Sequence, residues 1–264
     1  MIGFNNLGSY GRLGNQMFQY SALVGISKRH GYDFAIPPSN YTNQWYDHQL
    51  FEVFELPGLK HIGFVPQNFH VYQEKYFHFD EGLYNNIPDN VNLFGYFQSE
   101  KYFKNAESEV RKDFTFKSNI FNVCNEFRKT IKSEVISLHI RRTDYLNSQD
   151  SHPIQPISYY EKALSNFDEN LPVIIFSDDT NWCKEQELFK LDRFLVSESN
   201  SNIHDLCLMT LCDHFIIANS SFSWWGAWIS QNQNKKVYAP NNWFGPTLKN
   251  NDTKDLFPES WIVI

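Results

Sequence analysis

The sequence has no long apolar run, few cysteines and no secretory signal. Its longest apolar stretches, around residues 173–176 and 215–218, fall far short of the roughly 18 residues that a membrane-spanning helix needs, so we expect no transmembrane segment. The N-terminal residues lack a basic start followed by an apolar stretch, which favours a cytosolic protein. Four cysteines without CxxC spacing favour buried thiols over disulfides or a zinc site.

The sequence also lacks an excess of positive charge. Its 264 residues include 23 lysines and arginines against 30 aspartates and glutamates, a formal net charge of −7, which argues against a broad nucleic-acid-binding face. Any phosphate site must therefore be a local cluster of residues. Aromatic residues make up 17% of the chain, a content that fits carbohydrate handling but does not establish it.

The second half of the chain alternates strand and helix patterns with short connections, which predicts a parallel sheet covered by helices. Apolar runs predict strands at 135–140, 173–177, 194–197, 215–218 and 236–239. Ser158 and Glu161 form a capping-box pattern at the start of one helix, a second helix spans 181–189, and Asn202 is the predicted cap of a third. Together these elements describe a Rossmann-like unit.

The first half begins with a short predicted strand at 2–5, then a glycine-containing loop and an amphipathic helix. Gly31 can adopt the left-handed conformation that ends this helix, and a strand at 33–36 follows. From residue 37 to about 92 the chain shows little period, so we predict irregular structure that leaves room for short helices.

The remaining patterns connect the two halves. A strand is predicted at 93–97, and helices are predicted around 99–111 and 119–131. We therefore expect an α/β protein with two domains, residues 1–115 and 116–264.

Two adjacent arginines, Arg141 and Arg142, and the carboxylate of Asp144 directly follow a predicted buried strand. Arginine presents planar donors that match phosphate oxygens two at a time, so this cluster suits an anionic group such as a diphosphate. A surface ion pair at a strand exit is the alternative interpretation.

A second strand exit carries Asp178 and Asp179, and ligands of open parallel sheets bind beyond the carboxyl ends of the strands. A carboxylate there can accept hydrogen bonds from a guanine edge, hold a metal or cap the next helix. Capping by Asp179 and ligand contact by Asp178 are both open.

The third exit carries three serines, Ser220, Ser221 and Ser223, before a tryptophan-rich helix. Serine hydroxyls and free helix amides can form a phosphate cradle without lysine. The three tryptophans of this helix fall at helical spacing, which favours core positions over a sugar platform: Trp224, Trp225 and Trp228.

Glycines at 8, 11 and 14 follow the first strand, but their spacing fits neither GxGxxG nor GxxxxGK[ST]. The loop would bring a ligand close to the helix amides at Asn15 and Gln16, which favour an anion or a sugar oxygen. A tight turn without a ligand is an equal alternative.

Four blocks of the sequence, taken together, closely resemble the glycosyltransferase family 11 α-1,2-fucosyltransferases. They are GRLGNQMFQY at 11–20, HIRRTDY at 139–145, FSDD at 176–179 and NSSFSWWGAW at 219–228, in the family's order. The family pattern often has two glycines before the leucine, whereas Arg12 stands here after Gly11, which leaves the role of Arg12 open.

The resemblance implies a GT-B-like α/β enzyme with two facing Rossmann-type domains, an acceptor-side domain at 1–115 and a GDP-sugar-binding domain at 116–264. It implies transfer of L-fucose from GDP-β-L-fucose to the 2-hydroxyl of a galactoside, with inversion and without a metal or other cofactor. It also implies residue roles: Arg141 binds the β-phosphate and Arg142 supports it, His139 and Asp178 address the guanosine, Ser220, Ser221 and Ser223 line the diphosphate cradle, and Asn15 faces the sugar across the cleft.

Inverting transfer needs an in-line acceptor hydroxyl, a stabilised leaving group and a proton acceptor. Asp144 is the first candidate base, although two neighbouring arginines should make it a weak one. A loose transition state, in which the proton leaves late, would tolerate a weak base. His139 is the second candidate, and the absence of an enzymatic base is the third.

Other functions remain in competition. Transfer of another GDP-deoxysugar such as GDP-colitose would need almost the same pocket. A nicotinamide-dependent oxidoreductase would lack its glycine fingerprint here, and a non-catalytic carbohydrate-binding protein would leave Arg141 and Arg142 without a role. The acceptor glycan is open; a lipid-linked acceptor would place a cytoplasmic enzyme peripherally at the inner membrane face.

Overall fold

A computed structural model describes residues 1–40, 47–199 and 201–264. The chain forms two compact units: residues 1–117 with 251–258 form unit 1, and residues 118–250 with 259–264 form unit 2. The predicted domains, with their acceptor and donor roles, stay proposals. Part of the region predicted as irregular, residues 41–46, lies outside the described residues.

Unit 1 contains a parallel sheet with the strand order β3-β2-β1-β5-β4. Its strands are β1 (Ile2–Gly3), β2 (Phe34–Ile36), β3 (His61–Ile62), β4 (His70–Gln73) and β5 (Val91–Phe94). The order reverses between β1 and β5, because β2 and β3 lie on one side of β1 and the later strands on the other. Such a reversal opens a crevice at the carboxyl ends of the strands, which is where ligands bind in open α/β sheets.

The first helix, α1 (Leu13–His30), is buried over most of its length, so its polar side chains must find partners inside the unit. Gln16 donates to the carbonyls of Gly11 and Asp47, and Gln19 donates to the carbonyls of Tyr10 and Gly95. These bonds tie the glycine-containing loop to the start of the helix. Gly31 ends the helix with a φ of 71°, as predicted.

Between residues 37 and 92 the structure contains the short helices α2 (Leu50–Val53) and α3 (Glu81–Asn86), for which the prediction of irregular structure left room. It also contains β3, β4 and the start of β5, which that prediction did not include. Both residues of β3 are exposed, so no apolar alternation marked this strand. After β5, two short 3₁₀ turns lead into α4 (Glu107–Asp113), where the sequence predicted one helix.

Unit 2 contains a second parallel sheet, with the strand order β11-β10-β9-β6-β7-β8. Its strands are β6 (Ile136–Ile140), β7 (Val173–Ser177), β8 (Phe194–Val196), β9 (His214–Ile216), β10 (Val237–Ala239) and β11 (Ile262–Val263). All predicted strands of this half are present within one or two residues, and β11 was not predicted. The order reverses between β6 and β9.

The helices of unit 2 cover this sheet. They are α5 (Ser118–Thr130), α6 (Ile157–Leu164), α7 (Thr180–Glu185), α8 (Asn202–Thr210) and α9 (Ser221–Ile229). Two predicted caps were wrong. Ser158 lies inside α6, which begins after Pro156 without a side-chain cap, and Ser201 rather than Asn202 caps α8 by accepting from the His204 amide.

The interior of unit 2 confirms two further predictions. The four cysteines are free and buried, and Trp224, Trp225 and Trp228 belong to the core. Within the residues that the structure describes, no helix combines the length and the apolar character that crossing a bilayer requires.

Candidate active site

The loops after β6 and β9 meet at the strand-order reversal of unit 2. His139, near the end of β6, has its Nδ1 atom 2.8 Å from the Ser223 hydroxyl of α9. The Tyr145 hydroxyl donates to the Asn219 carbonyl over 2.9 Å. Because ligands of open α/β sheets bind at such reversals, this edge of unit 2 is the candidate active site.

Asp178, directly after β7, holds the loop that follows β6. Its carboxylate accepts from the backbone amides of Arg142 at 2.9 Å and Thr143 at 3.2 Å, and from the Thr143 hydroxyl at 2.5 Å. The Arg141 Nη1 atom is a further donor at 2.9 Å. Asp178 therefore fixes the backbone that carries both arginines, a role that the sequence did not predict. Its contact with guanosine stays a prediction.

Arg141 spans two carboxylates. While Nη1 contacts Asp178, Nη2 lies 2.7 Å from an Asp144 oxygen, and the guanidinium carbon lies 5.5 Å from the centre of the Tyr145 ring. The side chain is 17% exposed, whereas Asp144 is 45% exposed. The guanidinium is thus held in one orientation at the strand end while part of it still faces solvent, which is the preorganisation that binding an anion requires.

Arg142 is held in a different way. Its Nε donates to Asp179 over 3.0 Å, and its guanidinium carbon lies 3.9 Å from the ring centre of Trp182 in α7. Asp179 also accepts from the Trp182 amide, which confirms that it caps α7. Stacking on an aromatic face holds an arginine without neutralising it. Arg142 is therefore held by a carboxylate and by an aromatic face at once.

His139 is buried beneath the arginines. Burial, strengthened by the positive charge of Arg141, lowers the pKa of His139 to about 3, although the charge of Asp178 acts in the opposite direction. Its ring also packs against Phe222 with 5.7 Å between ring centres. A neutral imidazole with so low a pKa accepts protons poorly near neutrality, which weighs against His139 as the base.

The serines of the third exit divide into two groups. Ser220 caps α9 by accepting from the Phe222 amide, and Ser221 is the first residue of the helix; both are half-buried. Ser223 is buried, contacts His139 and also donates to the Ser220 carbonyl over 3.4 Å. Ser220 and Ser221 therefore lie where a phosphate would meet the helix amides, and Ser223 positions His139.

Asn219 connects the end of the β9 segment to two other loops. It is buried, and its amide nitrogen donates to the carbonyls of Pro153 and Trp243. The side chain therefore fixes the backbone just before the serines. Asn219 and Tyr145 lie in two of the sequence blocks that resemble the family, but the sequence did not predict their hydrogen bonds.

Asn15 belongs to unit 1, at the start of α1 and at the carboxyl end of that unit's sheet. Its Oδ1 accepts from the Gln98 amide over 2.8 Å. Gly11, with a φ of 95°, leaves room for this side chain, because a Cβ atom on Gly11 would lie 2.6 Å from the Asn15 Cβ. Gln98 was missed because it follows β5, far from Asn15 in sequence.

Within residues 1–40, 47–199 and 201–264, no three His, Cys, Asp or Glu side chains lie together in an arrangement that could hold a metal ion. The charged side chains of unit 2's strand exits instead pair arginine with aspartate.

The amino-acid sequence is similar to those of known glycosyltransferases. A model of glycosyl transferase family 11 matches residues 1–264. An α-1,2-colitosyltransferase of Escherichia coli is 30% identical over 287 residues, covering 96% of each chain. The galactoside α-(1,2)-fucosyltransferase 2 of Bos taurus is 27% identical over 285 residues, covering 99% of this chain and 79% of its own.

Solved structures show the same fold. POFUT1 in complex with GDP matches with a TM-score of 0.58 and 12% identity, covering 90% of this chain and 97% of its own. The fucosyltransferase NodZ from Bradyrhizobium matches with a TM-score of 0.54 and 13% identity, covering 86% and 92%. These likenesses confirm the GT-B-like α/β fold class that the sequence predicted.

Proposed function

The chain belongs to glycosyl transferase family 11, and on this premise we propose that it transfers L-fucose from GDP-β-L-fucose to the 2-hydroxyl of a galactoside. In this proposal, transfer proceeds with inversion of the anomeric centre and without a metal. The observation that carries the proposal is Arg141, held by two carboxylates at the strand-order reversal of unit 2.

The diphosphate binds at this edge. Arg141 contacts the β-phosphate, Arg142 adds a second positive charge, and the Ser220 and Ser221 hydroxyls with the first amides of α9 complete the cradle. Asp178 supports this arrangement by holding the backbone between the arginines. The His139 and Ser223 pair lies behind the cradle, and Asp178 and His139 are the residues assigned to the guanosine end.

Departure of GDP places negative charge on the β-phosphate, and the Arg141 guanidinium is oriented before this charge develops. Two fixed guanidinium groups supply the charge that a divalent cation supplies in other phosphate-transfer sites, which supports metal-independent transfer. This proposal leaves the sugar free to develop positive charge as the bond to GDP lengthens.

Asp144 accepts the proton of the acceptor hydroxyl. It is the more exposed partner of Arg141, and its contact with the proposed β-phosphate ligand, three residues before it in the chain, suits a group that meets the reacting centre. The low pKa of His139 favours Asp144 over this histidine. Asn15, in unit 1, contacts the transferred sugar.

GDP-colitose is the alternative donor, because a relative that covers nearly the whole chain is an α-1,2-colitosyltransferase. Colitose shares the configuration of fucose but lacks one of its hydroxyl groups, and a single side chain that contacts this hydroxyl can distinguish the two sugars. The acceptor is a galactose-containing glycan. We further propose a cytoplasmic enzyme that meets a lipid-linked acceptor peripherally at the inner membrane face.

The test is incubation of the protein with GDP-fucose, and in parallel with GDP-colitose, over a panel of galactosides with and without EDTA. Mass and linkage analysis of the product should show a fucosyl group α-1,2-linked to galactose, with equal yield in EDTA. A matched 2-deoxygalactoside provides the control, because it lacks the hydroxyl that attacks. If neither GDP-fucose nor GDP-colitose supports transfer, or if EDTA abolishes transfer, the proposal is contradicted.

A further inference from the structure

Glu74 is a half-buried glutamate that directly follows the edge strand β4 of unit 1. Its side chain accepts hydrogen bonds from the turn at residues 95–97, which follows β5. Its two carboxylate oxygens accept separately from the Tyr96 amide at 2.7 Å and the Phe97 amide at 2.9 Å. The Glu74 backbone amide donates to the Phe94 carbonyl. The side chain therefore holds this turn by two hydrogen bonds to backbone, in addition to the pairing of β4 with β5.

The turn that Glu74 holds has an unusual backbone. Gly95 has a φ of 154°, and a Cβ atom at this position would lie 2.4 Å from the Glu74 Cβ. Phe97 has a φ of 55°, a region that a bulky side chain rarely adopts. Such a conformation persists only when its surroundings enforce it. Acceptors on both amides of the turn provide that constraint.

The residue that follows the turn contacts the candidate site of unit 1. Gln98 is buried, and its amide nitrogen donates to Asn15 Oδ1 over 2.8 Å. This bond decides which end of the Asn15 amide faces Gln98, so the other end, Nδ2, lies toward Gly11. The carbonyl of Gly95 in the same turn accepts from Gln19 of α1. The turn and the start of α1 are thus joined at two points.

We propose that Glu74 is a positioning residue for sugar transfer: it holds the turn at 95–97 so that Gln98 orients the Asn15 amide toward the sugar. The inference rests on the proposed function, which assigns Asn15 to the transferred sugar. Glu74 itself contacts neither substrate. Its effect reaches the reaction through the orientation of Asn15.

Only the ionised carboxylate of Glu74 can accept hydrogen bonds from the Tyr96 and Phe97 amides at the same time. An ionised carboxylate offers an acceptor to both amides, whereas a protonated carboxyl or a glutamine amide turns a donor toward one of them. Burial raises the pKa of Glu74 to about 7, although the two amide bonds oppose this shift. Tyr102 is the titratable neighbour coupled to Glu74, and Asp80 and Asp255 lie near Tyr102, whose own pKa is raised by burial.

The experiment compares Glu74→Gln with the matched control Glu55→Gln, an exposed glutamate of the same unit. We expect Glu74→Gln to lower kcat by roughly tenfold or more while GDP affinity, measured by calorimetry, stays within about twofold of wild type. The wild-type kcat/KM should rise with pH through about 7, and Glu74→Gln should lack this limb. Glu55→Gln should match wild type in both respects.

A double-mutant cycle with Gln98→Leu tests the route of the effect. If Glu74 acts through Gln98, the two losses in kcat should not multiply in the double variant. Near-normal kcat in Glu74→Gln, a retained pH limb, or multiplying losses would each overturn the proposal. If Glu74→Gln does not fold, Gln98→Leu tests the proposal in its place. The rise of kcat/KM with pH near 7 should be absent from Gln98→Leu, and a retained rise overturns the proposal. Failure of the proposed function would appear separately, as absent transfer by the wild-type protein.

Discussion

The two sheets reverse their strand order in the same way, between β1 and β5 in unit 1 and between β6 and β9 in unit 2, but different chemistry gathers at the two reversals. In unit 2 the strand exits carry Arg141 and Arg142, which form ion pairs with Asp178 and Asp179, respectively. In unit 1 the corresponding exits carry Asn15 and Gln98, joined by an amide hydrogen bond.

This difference indicates which ligand each edge can bind. Fixed guanidinium groups favour a diphosphate, whereas neutral amides are suited to hydroxyl groups and give no net attraction for an anion. The same topology therefore presents a charged edge of paired arginines and aspartates in unit 2 and, in unit 1, a pair of joined amides that the exposed Arg12 precedes in the chain. Changes that exchange or weaken these chemistries test the assignment.

The largest effect should come from Arg141→Lys. Lysine keeps the charge but cannot contact Asp144 and Asp178 while also presenting paired donors, so we expect transfer to fall by roughly a hundredfold or more with the fold retained. Initial rates and circular dichroism measure both. Arg111→Lys is the matched control, because Arg111 forms an i,i+4 helix pair with Glu107 in unit 1 and does not belong to the strand exits of unit 2. Near-normal transfer by Arg141→Lys would remove this residue from the site.

Asp144→Asn should come next. We expect turnover to fall by roughly ten- to a hundredfold, because the amide cannot accept the proton, while GDP affinity changes little. Single-turnover kinetics and calorimetry separate these two quantities. Normal turnover by the variant would exclude Asp144 as the base and favour transfer without one.

Asp178→Asn should combine a moderate loss of activity with a loss of stability. Either orientation of the amide places a donor against a donor, so we expect about 1–3 kcal/mol less free energy of unfolding and roughly tenfold slower transfer. Thermal and chemical unfolding measure the first. If Asp178 also reads guanine, the variant should lose discrimination between GDP and IDP, which lacks the exocyclic amino group. Unchanged discrimination with reduced stability would restrict Asp178 to positioning.

The pH dependence of stability should have opposite signs at one buried group in each unit. His139, with a pKa lowered from 6.5 to about 3, stabilises the fold fully above pH 6.5 and loses this contribution as the pH falls toward 3. Glu74, with a pKa raised from 4.5 to about 7, contributes most below pH 4.5 and loses its contribution as the pH rises through 7.

Each slope is at most about 1.4 kcal/mol per pH unit. Between pH 4.5 and 6.5 the two slopes oppose each other, so chemical denaturation should give a lower slope of unfolding free energy against pH for His139→Gln than for wild type, and a higher slope for Glu74→Gln. His48, whose burial lowers its pKa to about 4, also makes stability rise with pH, as His139 does. This contribution is common to wild type, His139→Gln and Glu74→Gln, so it does not affect the comparison. Identical slopes in the variants and wild type would contradict both assignments.

The smallest effect should come from Trp182→Leu. Leucine keeps an apolar neighbour but removes the ring that lies 3.9 Å from the Arg142 guanidinium carbon, so we expect GDP to bind about 3- to 30-fold more weakly. Calorimetry measures this change. A variant that binds GDP as tightly as wild type would show that the hydrogen bond to Asp179 alone holds Arg142.

The charged edge could be predicted from sequence because its signals are local. Apolar runs such as 136–140 are followed at once by the polar residues of the exits, and parallel strands bring their carboxyl ends to one side. What each exit residue does there depends on which strands are neighbours. The donors that converge on Asp178 come from the loop after β6, so no pattern around residue 178 could indicate them.

The edge of unit 1 was harder to predict. Both residues of the short strand β3 are exposed, and β3 pairs with β2 over a long sequence separation, so neither alternation nor spacing marks it. Gln98 and Glu74 act through contacts between the ends of β4, β5 and α1. The wrong cap at Asn202 has a simpler cause, because Ser201 beside it is an equally good capping residue.

The path of the chain after residue 250 also constrains how the molecule can be divided. Residues 251–258 belong to unit 1, where Asp255 accepts from Lys101 and from the Phe79 amide, and β11 then completes the sheet of unit 2. Neither unit is therefore a continuous fragment that could be expressed by a single cut. During synthesis, unit 1 must wait for residues 251–258 and unit 2 for residues 259–264 to leave the ribosome before either can complete its structure.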